Sequence, residues 1–231
     1  MQFFNNMTDR AVILAQGAYP SHPYPLRILD EAKMLVCTDG AVNNLRGRDP
    51  DVVVGDLDSL SGSMKERYAS RLIRNTDQNT NDLTKAVLYC YEKGIRNVSI
   101  LGATGLREDH MLGNISLLGD YARIMDKVQM VTDYGTFWAY AENKQHDKEF
   151  VSFSIPCIKG GPVSFFGLDP ALKLQVTGVQ YPVENVVFDA FWKATLNTCT
   201  GNRLKVRFRN GPLLIYMTHP TFPEARGIVE E

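Results

Sequence analysis

The chain has 231 residues, 44% of them hydrophobic and 22% charged, which is apolar material enough for one large domain or two small ones. Its formal net charge of −1 gives no bulk attraction to nucleic acid or to an anionic membrane. No apolar run reaches the roughly 20 residues of a membrane-crossing helix, and residues 1–6 lack the basic region and apolar core of a secretory signal. The four cysteines, Cys37, Cys90, Cys157 and Cys199, form no C-x-x-C pair and read as buried free thiols in a reducing cytoplasm.

In chain order, residues 11–15 form a short apolar run ended by Gln16-Gly17, the pattern of a buried strand and its turn. Residues 19–25 hold three prolines and predict a loop, followed by a short helix over 26–31. Residues 33–37 are a second buried strand, ending in Thr38-Asp39-Gly40-Ala41. Val52-Val53-Val54 is a third, stopped by Gly55 and followed by Asp56-Leu57-Asp58-Ser59. Ser63 and Glu66 fit a capping box, so a helix is predicted from there to about 70, with a strand over 71–74.

A polar loop, residues 75–82, leads into a helix over about 81–93. Leu83, Ala86, Val87 and Cys90 recur there at helical spacing, and Gly94 supplies the stop. A strand over 97–101 breaks at Gly102-Ala103-Thr104-Gly105. A helix over 108–124, with Met111, Ile115 and Leu118 on one face, and a strand over 127–132 complete this half.

Strands separated by helices of this length imply βαβ units and a mostly parallel sheet, which binds ligands beyond the carboxyl ends of its strands. Beyond about 136, strand-like pieces follow one another: 136–141, 150–155, 163–166, 172–176, 186–188, 191–197, 203–209 and 213–217. Asn210-Gly211 has the form of a hairpin turn between the last two. This half reads as an antiparallel sandwich or barrel, with the boundary at 133–135.

Chemistry concentrates at the strand ends. With an extended backbone, Asp56 and Asp58 point the same way about 6–7 Å apart and can share a hard cation with phosphate oxygens. Gly102 to His110 joins a strand to a helix, where backbone N–H groups and the helix N-terminus favour an anion. Arg107 there offers a planar fork for phosphate oxygens. Asp77, Asp82 and Lys85 flank a helix start, and Asp82 and Lys85 share one of its faces. His22, His146 and His219 have no partner pattern and read as surface residues. Three or more carboxylates, a phosphate-suited loop, an Arg and a Lys suit phosphoryl or pyrophosphoryl transfer from a magnesium nucleotide.

With these motifs the sequence resembles the thiamine pyrophosphokinase family over nearly its whole length. The marks are Asp39-Gly40-Ala41, Gly55-Asp56-Leu57-Asp58-Ser59, Asp77-Gln78 through Asp82 with Lys85, and Gly102-Ala103-Thr104-Gly105-Leu106-Arg107-Glu108-Asp109-His110. Thr177-Gly178, Tyr181-Pro182-Val183-Glu184-Asn185 and Gly211-Pro212-Leu213-Leu214 add landmarks in the second half. The chain departs from the family pattern at Asn79, Leu106 and Leu196-Asn197-Thr198-Cys199, where an Asp, a second glycine and Ser-Asn-x-aromatic are usual.

The resemblance implies a Rossmann-like α/β nucleotide-binding catalytic domain over residues 1–134 and an all-β antiparallel sandwich, for thiamine binding and dimerisation, over 135–231. It implies a cytoplasmic homodimer with its sites between subunits. The implied reaction moves the β,γ-pyrophosphate of ATP to the thiamine hydroxyl and leaves AMP. Asp56, Asp58, Asp77, Asp82 and Lys85 would be catalytic, with Mg2+ held by Asp56, Asp58 and Asp82. Asp39, Gln78, Thr104, Arg107, Asp109 and His110 would serve the nucleotide, and Thr195 and Asn197 the thiamine. Within the 191–197 strand, alternation puts Trp192, Ala194 and Leu196 on an apolar core face and Thr195 and Asn197 on the polar one. Two other readings are a magnesium phosphatase using Asp56 as nucleophile and a catalytically weak thiamine diphosphate or nucleotide sensor.

Overall fold

The computed structural model describes residues 10–142 and 150–219. The readings of residues 1–6 and of His146 lie outside them. The chain divides into two compact units. One runs to Leu117 and includes Ile124–Asp133; the other is Leu118–Arg123 with Tyr134 onward. The architecture is mixed α/β: parallel strands with helices, then antiparallel strands.

The first unit holds β1 (Arg10–Leu14), β2 (Met34–Thr38), β3 (Val52–Gly55), β4 (Leu72–Arg74), β5 (Asn97–Leu101) and β6 (Lys127–Val131). They lie in the order β6-β5-β1-β2-β3-β4 and every pair is parallel. The chain therefore steps outward from β1 to β4, then returns to the other side of β1 as β5. The apolar runs of β1, β2, β3, β5 and β6 are buried, as strands covered on both faces require, while β4 at the sheet edge leaves Ile73 exposed.

Four helices accompany these strands: α1 (Pro23–Asp30), α2 (Gly62–Arg67), α3 (Asp82–Glu92) and α4 (Glu108–Ile124). Two begin earlier than the sequence reading had them. Pro23 opens α1 because a first-turn proline sacrifices no hydrogen bond, and His22 Nδ1 caps it by accepting from Tyr24 N at 3.1 Å. Ser61, not Ser63, caps α2, accepting from Met64 N at 3.3 Å. In α3 the expected apolar face, Leu83, Ala86, Val87 and Cys90, is buried, and Gly94 follows with φ 79°.

The second unit holds β7 (Gly135–Tyr140), β8 (Val151–Pro156), β9 (Pro162–Gly167), β10 (Lys173–Thr177), β11 (Ala194–Thr198), β12 (Arg203–Arg209) and β13 (Leu213–Thr218). Strands β11-β9-β13-β7 pair antiparallel, as do β10-β12-β8. Phe165, Ile215, Leu174, Val206 and Phe208, drawn from both sets, share one buried cluster.

Four expectations change here. Residues 186–188 form no strand. β12 and β13 do not pair, so Asn210-Gly211 is no hairpin: it is the corner where the chain leaves one sheet for the other, with φ 63° and 137°. A left-handed corner and a hairpin ask for the same dipeptide. β11 starts at Ala194 and bulges before Asn197, with Leu196 at φ 56°. The extra residue breaks the alternation, so Ala194 and Asn197 are both buried while Trp192 and Leu196 are 70% and 84% exposed. Lastly, His219 is buried rather than on the surface, and His22 is half-buried.

Candidate active site

The acidic centre arises where β2 and β3 end side by side, with Thr38 opposite Val54. Asp39 opens the 3-10 turn after β2, and Asp56 and Asp58 follow β3. Gly55 permits the approach, because a Cβ there would lie 2.6 Å from Asp39 Cβ. The Asp-x-Asp pair is not extended as its spacing first implied. Leu57 takes φ 68°, and the turn lets Asp58 N donate to Asp56 Oδ1 at 3.2 Å. One carboxylate oxygen from each of Asp39, Asp56 and Asp58 lies within 4.8 Å of the others.

Asp39 is 1% exposed. Its Oδ2 accepts from Ser59 N at 3.3 Å, while Oδ1 is buried with no donor. Burial pushes its carboxyl above the ordinary carboxylate range against the pull of the Ser59 N–H, and the neighbouring Asp56 and Asp82 push the same way. The Asp58 N–H holds Asp56 below that range. Carboxylate oxygens facing one another around an unsatisfied buried acceptor form the donor set of a hard divalent cation. The expected metal set named Asp82 in place of Asp39. Here Asp82 Oδ1 instead pairs with Lys85 Nζ at 3.0 Å, and Lys85, on the first turn of α3, is only 4% exposed.

The loop before α3 is folded on Asp77. Its carboxylate accepts from Asn79 N at 2.9 Å, Asn79 Nδ2 at 3.0 Å and Thr80 Oγ1 at 3.1 Å, and these bonds, the Asn79 N–H first, hold its pKa down. Asn79 thus serves as a donor where an acid would repel. Gln78 is exposed, its Nε2 3.5 Å from Thr76 O.

The glycine loop, residues 102–105, is braced against the exit of β1. Gly17 N donates to Gly102 O at 2.5 Å and Ala18 N to Thr104 O at 2.8 Å. A Cβ on Gly17 would lie 2.4 Å from Gly102 O, so no larger residue fits that crossing. Beyond the loop, Arg107 presents its fork to Asp109, Nε to Oδ1 at 3.1 Å and NH2 to Oδ2 at 2.6 Å, with both side chains exposed. Thr104 is half-buried and His110 exposed.

The two residues expected to serve the acceptor are engaged locally. Thr195 Oγ1 donates to Trp192 O at 2.8 Å. Asn197, 3% exposed, accepts at Oδ1 from Tyr181 N at 3.1 Å and Thr198 N at 2.9 Å, and its Nδ2 donates to Tyr181 O at 2.7 Å. Sequence reasoning missed Asn81 and Asn114. Asn81 caps α3, accepting from Thr84 N at 2.8 Å, and its position just before an apolar helical pattern was a readable signal. Nothing in the sequence pattern marked Asn114.

Comparison with known proteins points the same way. The family model for thiamin pyrophosphokinase, catalytic domain, matches residues 26–145. Thiamine pyrophosphokinase 3 of Oryza sativa subsp. japonica is 36% identical over 119 residues, 40% of this chain and 45% of that protein. Thiamine pyrophosphokinase of Bacillus subtilis (strain 168) is 28% identical over 145 residues, 59% of this chain and 63% of that protein. The chain spans about half the length of the curated relatives it matches. The crystal structure of the Bacillus subtilis thiamine pyrophosphokinase superposes with a TM-score of 0.73 at 21% identity, over 91% of this chain and 99% of that one. The yeast enzyme's structure gives 0.70 at 17%, over 93% and 88%. At these identities the solved structures speak for the fold.

Proposed function

The chain belongs to the thiamin pyrophosphokinase family, and we propose that it transfers the β,γ-pyrophosphate of ATP to the hydroxyl of thiamine, giving thiamine diphosphate and AMP. The observation that carries this is the carboxylate set Asp39, Asp56 and Asp58, gathered within 4.8 Å at the tips of two parallel strands. Asp56 and Asp58 would hold Mg2+ with Asp39 completing the protein's share. A divalent cation bound there would neutralise charge on the transferred phosphates.

The other residues fit roles around that centre. Lys85, paired with Asp82, would face the transferred group, and Asp77 shapes the loop carrying Gln78. Arg107 would exchange its bidentate pairing with Asp109 for phosphate oxygens, a substitution its planar fork suits. Thr104, Asp109 and His110 would line the nucleotide. We read residues 1–134 as a Rossmann-like nucleotide-binding catalytic domain and 135–231 as a sandwich for thiamine and for homodimerisation. Exposed Phe191, Trp192 and Leu196 supply apolar surface for a second copy. Given Asn197's commitments, its service to the acceptor is through Tyr181. The buried free thiols Cys37, Cys90 and Cys199 fit a cytoplasmic enzyme. Among the described residues, no helix is long and apolar enough to cross a membrane.

The test is to incubate the purified chain with ATP, Mg2+ and thiamine and to identify the products. Thiamine diphosphate with AMP in equal amounts supports the reading. ADP or free phosphate in their place, or binding without turnover, overturns it in favour of a phosphatase or a sensor.

A further inference from the structure

Four polar groups from three separate segments form one chain of hydrogen bonds in the first unit. Ala103 O, in the glycine loop, accepts from Asn114 Nδ2 of α4 at 2.9 Å. Asn114 Oδ1 accepts from Asn81 Nδ2 at 3.3 Å. Asn81 Oδ1 accepts from Thr84 N at 2.8 Å and so caps α3. The direction of this chain is fixed at both ends. A backbone carbonyl can only accept and a backbone N–H can only donate, so each intervening amide has a single orientation that satisfies both neighbours. An ionised acid, which cannot donate, or an alkyl group at position 114 breaks it.

What the chain joins gives it meaning. At one end is the loop braced against β1 by Gly17. At the other is the first turn of α3, which carries Asp82 and Lys85. α3 packs on β1, β2 and β3 and the glycine loop is held by the exit of β1, so each has its own support and the amide chain is what links the first turn of one to the backbone of the other. We propose that Asn114 is a positioning residue for pyrophosphoryl transfer, setting the Asp82–Lys85 turn of α3 against the Gly102–Gly105 loop through Asn81. This rests on the reaction proposed above. Asn114 touches neither acid nor base itself; it sets where the α3 charges stand relative to a phosphate held over the glycine loop. Misplacement on the ångström scale costs up to about a hundredfold in rate when a reaction depends on alignment.

Two variants separate bridging from capping. Asn81→Ser keeps a cap on α3, since a serine hydroxyl accepts from the same first-turn N–H groups, but cannot reach Asn114. Asn114→Ala removes the bridge and leaves the cap. Thiamine diphosphate formation is measured for the wild type, both single variants and the double variant, with thermal midpoints alongside. The expected result is a fall in kcat of about ten- to a hundredfold in each single variant, an unchanged KM for thiamine, and a double variant no slower than Asn114→Ala alone, because both break one bridge. Unchanged kcat in Asn114→Ala, or a loss that tracks only the thermal midpoint while Asn81→Ser turns over normally, overturns the proposal. A wild type that makes no thiamine diphosphate overturns the reaction instead, so the two failures are distinct.

Discussion

Asn197 grips Tyr181 by two hydrogen bonds at once, donating to its carbonyl at 2.7 Å and accepting from its N–H at 3.1 Å. A side-chain amide pairing with both backbone groups of one residue reproduces what a neighbouring strand would offer. It carries on, through a side chain, the backbone pairing that Gln180 N makes with Thr198 O and that joins Val179 to Cys199. Asn197→Ala should therefore cost about 1–3 kcal/mol of stability, the penalty for stranding backbone polar groups. Trp192→Ala, at an exposed site, should stay within about 0.5 kcal/mol of wild type. Urea denaturation of both variants checks this, and the reverse order would return Trp192 to the core.

The buried Asp39 should separate stability from activity. Asp39→Asn keeps an acceptor for the Ser59 N–H while removing a desolvated charge beside Asp56, so its thermal midpoint at pH 7 should rise as thiamine diphosphate formation falls by at least about a hundredfold. Asp56→Asn and Asp58→Asn should lose turnover comparably. A fully active Asp39→Asn would remove that residue from the metal set.

Mg2+ gives an independent reading of the same three carboxylates. A ligand that binds only the folded chain stabilises it by about 2.7 kcal/mol at one hundred times its Kd. Wild type should show a midpoint that climbs with Mg2+ in the absence of nucleotide, and Asp56→Asn should not. Equal responses from both would place the cation elsewhere.

Asp133 predicts how the fold responds to acid. Burial raises its pKa, but bonds from His22 N, Ser21 Oγ and Ser21 N outweigh that and leave it below its ordinary value. A depressed carboxylate pKa means stability that is present above the unfolded-state value of about 3.9 and lost as pH falls through the folded value. Asp133→Asn should be less stable than wild type at pH 7, by about 1 kcal/mol after allowing for its exposure. The gap should narrow steadily as pH falls below the unfolded-state value. A gap that stays constant as pH falls through that range would assign the effect to packing.

Arg107→Lys should raise the KM for ATP about tenfold, the scale of one charge-assisted hydrogen bond, because an ammonium cannot reproduce the fork now set on Asp109. Initial rates against ATP at saturating thiamine measure it. An unchanged KM would make Arg107 and Asp109 a surface pair only.

Local signals in the sequence carried well into the structure. The apolar run of β5, the helical spacing of α3 with its stop at Gly94, and the 108–124 helix stand where residue chemistry put them, since each depends on neighbours within a turn or two. The partnership of Asp39 with Asp56 needed the β2–β3 register, though two acidic strand ends in adjacent βα units hinted at it. The β11 bulge escaped because alternation assumes an unbroken ladder, and nothing in Leu196 announces a positive φ. The corner at Asn210-Gly211 was legible as a turn but not as a change of sheet, because the dipeptide fixes local backbone and says nothing of which strand comes next.

That corner sets a rule for anyone lengthening or cutting this chain. β13 lies between β7 and β9 and is held in register by both, Ile215 opposite Trp138 on one side and Phe165 on the other. A residue inserted at Asn210-Gly211 cannot be absorbed by a wider loop, as it would be at a true hairpin tip. It would shift β13 by one place and turn Leu213 and Ile215 out of the shared core, exchanging them with Leu214 and Tyr216. Tags, cleavage sites and circular-permutation breaks therefore belong at turns that bulge into solvent, such as the one around Gly160, where an added Cβ meets nothing within 4 Å.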